Sequence, residues 1–136
     1  MIIAVDFDGT CVTHEFPKVG RDIGAIPVLR KLVENGHKLI LFTMRSNVVN
    51  PESENPDIHL ESGNYLDDAI NWFKQNKIEL WGIQTNPTQA TWTSSPKAYA
   101  QLYIDDASLG CPLIQVGNGR PFVDWETVEN LLGDLI

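Results

Sequence analysis

The chain has 136 residues, 43% of them apolar and 21% charged, and a formal net charge of -8. That length suits a single domain, 1–136, with its own core, and the negative balance disfavours a broad surface for nucleic-acid phosphates. Cys11 and Cys111 stand in no CxxC or zinc-spaced cluster and read as free thiols; the longest apolar stretch, LILFTM, is too short to span a bilayer, and without an apolar leader the expected location is the cytoplasm.

IIAVDF (2–7) is a short apolar, β-branched run, the pattern of a buried strand. It ends in two acids, Asp6 and Asp8, followed at once by Gly9-Thr10. Two carboxylates this close repel, and burial at a strand end removes solvation, so a cation or a reaction is needed to make the pair tolerable. Side chains alternate along a strand, so Asp6 and Asp8 can face one way while Phe7 packs the other. This geometry suits Asp6 as a nucleophile on phosphorus and Asp8 as the acid that protonates the leaving oxygen and then activates water. Read alone, DGT is equally a turn with capping acids.

A helix is expected over 24–35, with Ile26, Leu29, Leu32 and Val33 on one face, Pro27 in the first turn and Asn35-Gly36 closing it. HKLILFT (37–43) is the second strand. Thr43 at its end offers a hydroxyl, and the next amide can bind an oxyanion. Arg45 can reach a substrate anion or form a surface ion pair. A second helix is expected over 63–76, with Leu66, Ala69, Ile70 and Phe73 as its stripe and Ser62 as N-cap. ELWGIQT (79–85), QLYID (101–105) and PLIQV (112–116) complete a mainly parallel five-stranded sheet. Asp124 caps a last helix whose Val128, Leu131, Leu132 and Leu135 face inward. Strands alternating with helices predict an α/β sandwich with helices on both faces. Connections after helices are short and connections after strands are long, so the long loops gather over the strand C-termini, beside Asp6 and Asp8.

Lys97, before the fourth strand, can place a point charge on a phosphate; taken alone it is a solvated surface lysine. Asp105 and Asp106 at the end of YIDD are hard oxygen donors of the kind Mg²⁺ prefers. Loops 46–62, with His59, and 86–96, with Trp92, are candidates for substrate contact, as is His14 in the flap after Asp8. Cys11, with no base nearby in sequence, reads as a packed small side chain.

In order and placement, DFDGT, LFT, PK and YIDD resemble the haloacid dehalogenase superfamily, chiefly its aspartate-nucleophile phosphatases. The resemblance implies a three-layer Rossmann-like fold. It makes Asp6 the nucleophile and Asp8 the general acid/base, whose backbone carbonyl also ligates Mg²⁺. Asp105 becomes a second ligand, and Asp106 a ligand through water or a positioning acid. Thr43 and Lys97 would hold the phosphoryl group. Retention of an acid at Asp8 favours hydrolysis or transfer of phosphomonoesters. Neither place where the family inserts a cap domain has room for one, so the expectation is a capless enzyme acting on a small phosphorylated metabolite. Its walls would come from loops or from a homo-oligomeric neighbour. The alternatives are a receiver-like module phosphorylated on aspartate, a catalytically idle phosphate-binding module and a phosphotransferase.

Overall fold

The computed structural model describes residues 1–136. In chain order the elements begin with β1 (Ile2–Val5), α1 (Ala25–Glu34), β2 (Lys38–Leu41), β3 (Asn47–Val48) and β4 (Gly63–Asn64). Then follow α2 (Tyr65–Gln75), β5 (Gly82–Ile83), β6 (Leu102–Ile104), β7 (Leu113–Ile114), β8 (Phe122–Val123) and α3 (Trp125–Leu132). The fold is α/β, with a four-stranded parallel sheet in the order β5-β2-β1-β6.

That order explains what covers each face. The steps from β1 to β2 to β5 run in one direction, so right-handed crossovers place α1 and α2 on the same side. Ile3, Val5 and Phe7 of the first strand segment and Leu39 and Leu41 of β2 form one core with Leu29, Leu32, Phe73 and Val128 from the three helices. Phe7 meets Trp72 edge-on at 5.6 Å between ring centroids.

The step from β5 to β6 reverses direction, so its connection crosses the opposite face. Ala4 and Ile40, which alternate with the core residues, are buried there. A Cβ at Gly82 would press on both Ile40 and Pro87, which shows how closely residues 84–101 lie on the sheet. The expectation of helices on both faces fails here, whereas the reading of 86–96 as a loop holds. The segment is irregular, with one 3-10 turn, Gln89–Thr91. Its backbone is satisfied by buried amide side chains. Gln89 donates to the Ser95 and Lys97 carbonyls and accepts from the Tyr99 amide, and Asn86 donates to the Tyr99 carbonyl. The sequence NPTQATWTSSP has no 3.6-residue apolar stripe, so no helix forms.

Other expectations are corrected. PLIQV is not a fifth strand of the main sheet: Leu113–Ile114 pairs antiparallel with Phe122–Val123 in a hairpin. The third strand shrinks to two residues; Gln84, with φ 64, turns the chain at its C-terminal end. Ser62 does not cap α2; its hydroxyl donates to the Val49 carbonyl, and Asn64 precedes the helix with no side-chain cap bond. Leu131 is 73% exposed, whereas Val128 and Leu132 are buried. Asp124 does cap α3, accepting from the Thr127 amide at 3.3 Å and its hydroxyl at 2.6 Å. No helix is long and apolar enough to cross a membrane.

Candidate active site

Strand order reverses between β1 and β6, the place where open parallel sheets bind ligands. Asp6 follows β1 and Asp105 follows β6, and the Asp6 amide donates to the Ile104 carbonyl at 3.0 Å. The carboxylates of Asp6, Asp105 and Asp106 each offer an oxygen within 4.8 Å of the others. Burial, first, and the Asp105 charge, second, push the Asp6 carboxyl up to about 7, against hydrogen bonds from the Phe7 amide and the Thr10 hydroxyl. Asp105 is raised too, again chiefly by burial. Three crowded carboxylates of this kind form a hard donor set that a divalent cation fits.

The turn after Phe7 is built tightly. The Phe7 carbonyl accepts from the Thr10 and Cys11 amides, and the Trp125 indole donates to the Thr10 carbonyl at 2.6 Å, tying the turn to α3. Thr10 donates through its hydroxyl to Asp6 at 2.9 Å and accepts from the Asp106 amide at 3.1 Å. The turn therefore joins the two strand ends. Gly9 has φ 80, and a Cβ there would run into the His14 ring and the Asp106 carboxylate. The two are themselves in contact, His14 Nε2 lying 3.0 Å from Asp106 Oδ2. Cys11 is fully buried, its thiol pushed well up by burial, and it donates to the Asp6 carbonyl at 3.3 Å. It is packing, as expected.

Asp8 is arranged differently from Asp6. Both its oxygens are taken by Arg45, with Nε at 2.7 Å and Nη2 at 2.8 Å. Arg45 is 2% exposed. It also donates to the Lys18 carbonyl at 2.8 Å and the Tyr65 carbonyl at 3.1 Å, and its guanidinium lies 5.1 Å from the ring centres of both Phe7 and Phe16. The expected substrate contact or surface ion pair is instead a buried, bidentate partner of Asp8. Beside it, the Thr43 hydroxyl accepts from the Arg45 amide at 3.1 Å. Gln84 clamps the same loop, accepting from the Thr43 amide and donating to the Thr43 and Arg45 carbonyls.

Asp6, Asp8, His14, Thr43, Arg45, Asp105 and Asp106 line one cavity of about 510 Å³. Phe16, Met44, Ile58 and Leu60 give it an apolar wall, and Met44 is 97% exposed. Three other candidates lie outside this cavity. Lys97 is exposed, with Nζ 5.4 Å from the centre of the Tyr103 ring. Trp92 packs edge-on against Tyr99 at 5.5 Å. His59 lines a separate cavity formed by its own loop, although Ile58 and Leu60 of that loop reach the site.

Arg120 also lines the cavity, and sequence reasoning missed it. The signal was available: Gly117-Asn118-Gly119 is a hairpin turn, and a hairpin after the fourth strand returns Arg120 toward Gly9. The Val123 amide donates to the Gly9 carbonyl at 3.0 Å and fixes that return.

No protein-family model matches the sequence, and no curated protein matches it. A solved structure, described as that of the conserved protein coded by a locus from Bacteroides thetaiotaomicron, is similar over 98% of this chain and 90% of its own. Identity is 32% and the TM-score 0.69. The similarity spans nearly the whole chain. The chain belongs to the family of that Bacteroides thetaiotaomicron protein.

Proposed function

We propose that the protein is a Mg²⁺-dependent phosphatase of small phosphomonoesters, of the capless haloacid dehalogenase type, working through an aspartyl-phosphate on Asp6. The observation that carries this reading is the convergence of Asp6, Asp105 and Asp106 at the sheet's reversal point. Asp6, Asp105 and Asp106, with the Asp8 carbonyl, would hold the ion. Bound there, it would favour ionised Asp6 and neutralise phosphate charge.

The chain's own groups then have distinct tasks. An Asp6 oxygen attacks phosphorus as the bond from phosphorus to the leaving oxygen breaks, and Asp8 gives that oxygen its proton. In the second step Asp8 takes a proton from water, the water oxygen attacks phosphorus, and inorganic phosphate leaves with Asp6 restored. Thr10 orients Asp6, and Arg45 fixes the plane of the Asp8 carboxylate. Thr43 is suited to holding a phosphoryl oxygen. Lys97 would have to swing from the Tyr103 ring to reach one.

Replacing Asp6 with Asn should abolish Mg²⁺-dependent hydrolysis of p-nitrophenyl phosphate, and full turnover in that variant would overturn the assignment. One observation favours a second reading. Arg45 occupies both Asp8 oxygens, an arrangement that suits a long-lived phosphoryl group on Asp6, as in a receiver-like module. Stoichiometric labelling of Asp6 by a small phosphodonor, without multiple turnover, would select that reading.

A further inference from the structure

A second recess of about 240 Å³ adjoins the carboxylate cavity, and His14 and Arg120 line both. Arg21 lines the recess from the flap, with Thr13 beneath it. Both arginines are held by backbone tied to the turn after Asp8. The Thr13 amide donates to the Arg21 carbonyl at 3.0 Å, and the Arg21 amide donates to the Thr13 hydroxyl at 3.1 Å. Gly20 permits this approach, since a Cβ there would overlap Thr13. Arg120 precedes β8, which is bonded to Gly9 through Val123.

Neither guanidinium forms an ion pair. The ion pairs of the chain are His14–Asp106, Lys31–Glu129 and Arg45–Asp8. Glu15 also lines the recess but pairs with neither arginine. In a chain of net charge -8, acids are plentiful, yet the two exposed arginines that line this one recess pair with none. Guanidinium groups are built to grip phosphate or carboxylate through paired donors.

We propose that this recess binds a second anionic group, phosphate or carboxylate, on the same small molecule whose phosphomonoester meets Asp6. The inference rests on the phosphatase reading for the first group only. The substrate class is thus a bis-anion, one end at the carboxylates and the other between Arg21 and Arg120. The apolar wall of Phe16, Met44 and Leu60 borders the body that links them.

The full chain carrying Asp6→Asn, with Mg²⁺, permits binding to be read without turnover. Calorimetric titration would compare α,ω-alkanediol bisphosphates of two to six carbons, ω-carboxyalkyl phosphates and alkyl monophosphates of matched length. At one optimal length, a bis-anion should bind at least tenfold more tightly than its monophosphate, and the better arm identifies phosphate or carboxylate. Adding Arg21→Ala and Arg120→Ala should bring that ratio to about one. No preference at any length, or a preference that survives both substitutions, overturns the proposal. Wild-type kinetics on the same compounds separates the two readings. Absence of all turnover counts against the phosphatase, whereas the arginine-dependent binding ratio stands or falls independently.

Discussion

At the scale of single residues, the two acids of DFDGT have unlike surroundings. Asp6 is crowded by carboxylates, whereas Asp8 is neutralised by a buried guanidinium. The spacing of Asp6 and Asp8 was legible, because alternation along a strand places both at one edge. The partner of Asp8 was not, because Arg45 follows a strand 37 residues later and nothing local tells whether it turns inward. Its inward turn is set by Phe7, Phe16 and three backbone carbonyls, those of Pro17, Lys18 and Tyr65. Arg45→Ala leaves a half-buried carboxylate without its partner and should cost about 3–5 kcal/mol in urea unfolding. Arg45→Lys keeps the charge but loses the planar fork, so it should recover less than half of that loss. A change of under about 1 kcal/mol in the alanine variant would show that the pair contributes little.

Elements position these residues through their ends more than through their lengths. Strands of two to four residues suffice, because the turn at Gly9, the Trp125 indole and the Val123 amide brace the site from α3 and β8. Gly9→Ala forces a side chain into a left-handed turn and against His14 and Asp106. It should lower stability by about 1–3 kcal/mol and weaken Mg²⁺ binding, read by calorimetry, by tenfold or more. Unchanged metal affinity would mean that the turn does not set the carboxylate geometry. Helices with clear apolar stripes, α1 and α2, were legible to within two residues at each end. The short apolar run PLIQV was not, since five apolar-rich residues suit a sheet core and a surface hairpin equally well. Its partner, Phe122–Val123, decided the matter across the Gly117-Asn118-Gly119 turn.

For the whole molecule, the carboxylate cluster couples folding to pH, and under the proposed function to a divalent cation as well. The folded Asp6 holds its proton up to about 7, whereas an unfolded aspartate releases it near 3.8. Between those values the native state binds more protons, so without a divalent ion stability should fall as pH rises from about 4 to about 7. Asp105, also raised, acts in the same direction. If Mg²⁺ occupies the native cluster as proposed, it should reverse the loss at neutral pH. Thermal melts in EDTA at pH 4.5, 6 and 7.5, with and without Mg²⁺, should show a falling Tm that the ion restores. Asp6→Asn should flatten much of that slope, and an equal slope in the variant would place the effect elsewhere.

By itself, the sequence determined the parallel α/β framework, the two helices α1 and α2 that pack on its core and the gathering of acids at one sheet edge. These follow from local periodicity and from alternation along strands, which need no distant partner. Only the tertiary structure decided that Arg45 belongs to Asp8 and that Lys97 lies over Tyr103. It also decided that the 86–96 loop, and not a helix from elsewhere, covers the second face. Each depends on which strand lies beside which and where the order reverses, and that is set by long-range packing and by buried hydrogen bonds such as those of Gln84 and Gln89.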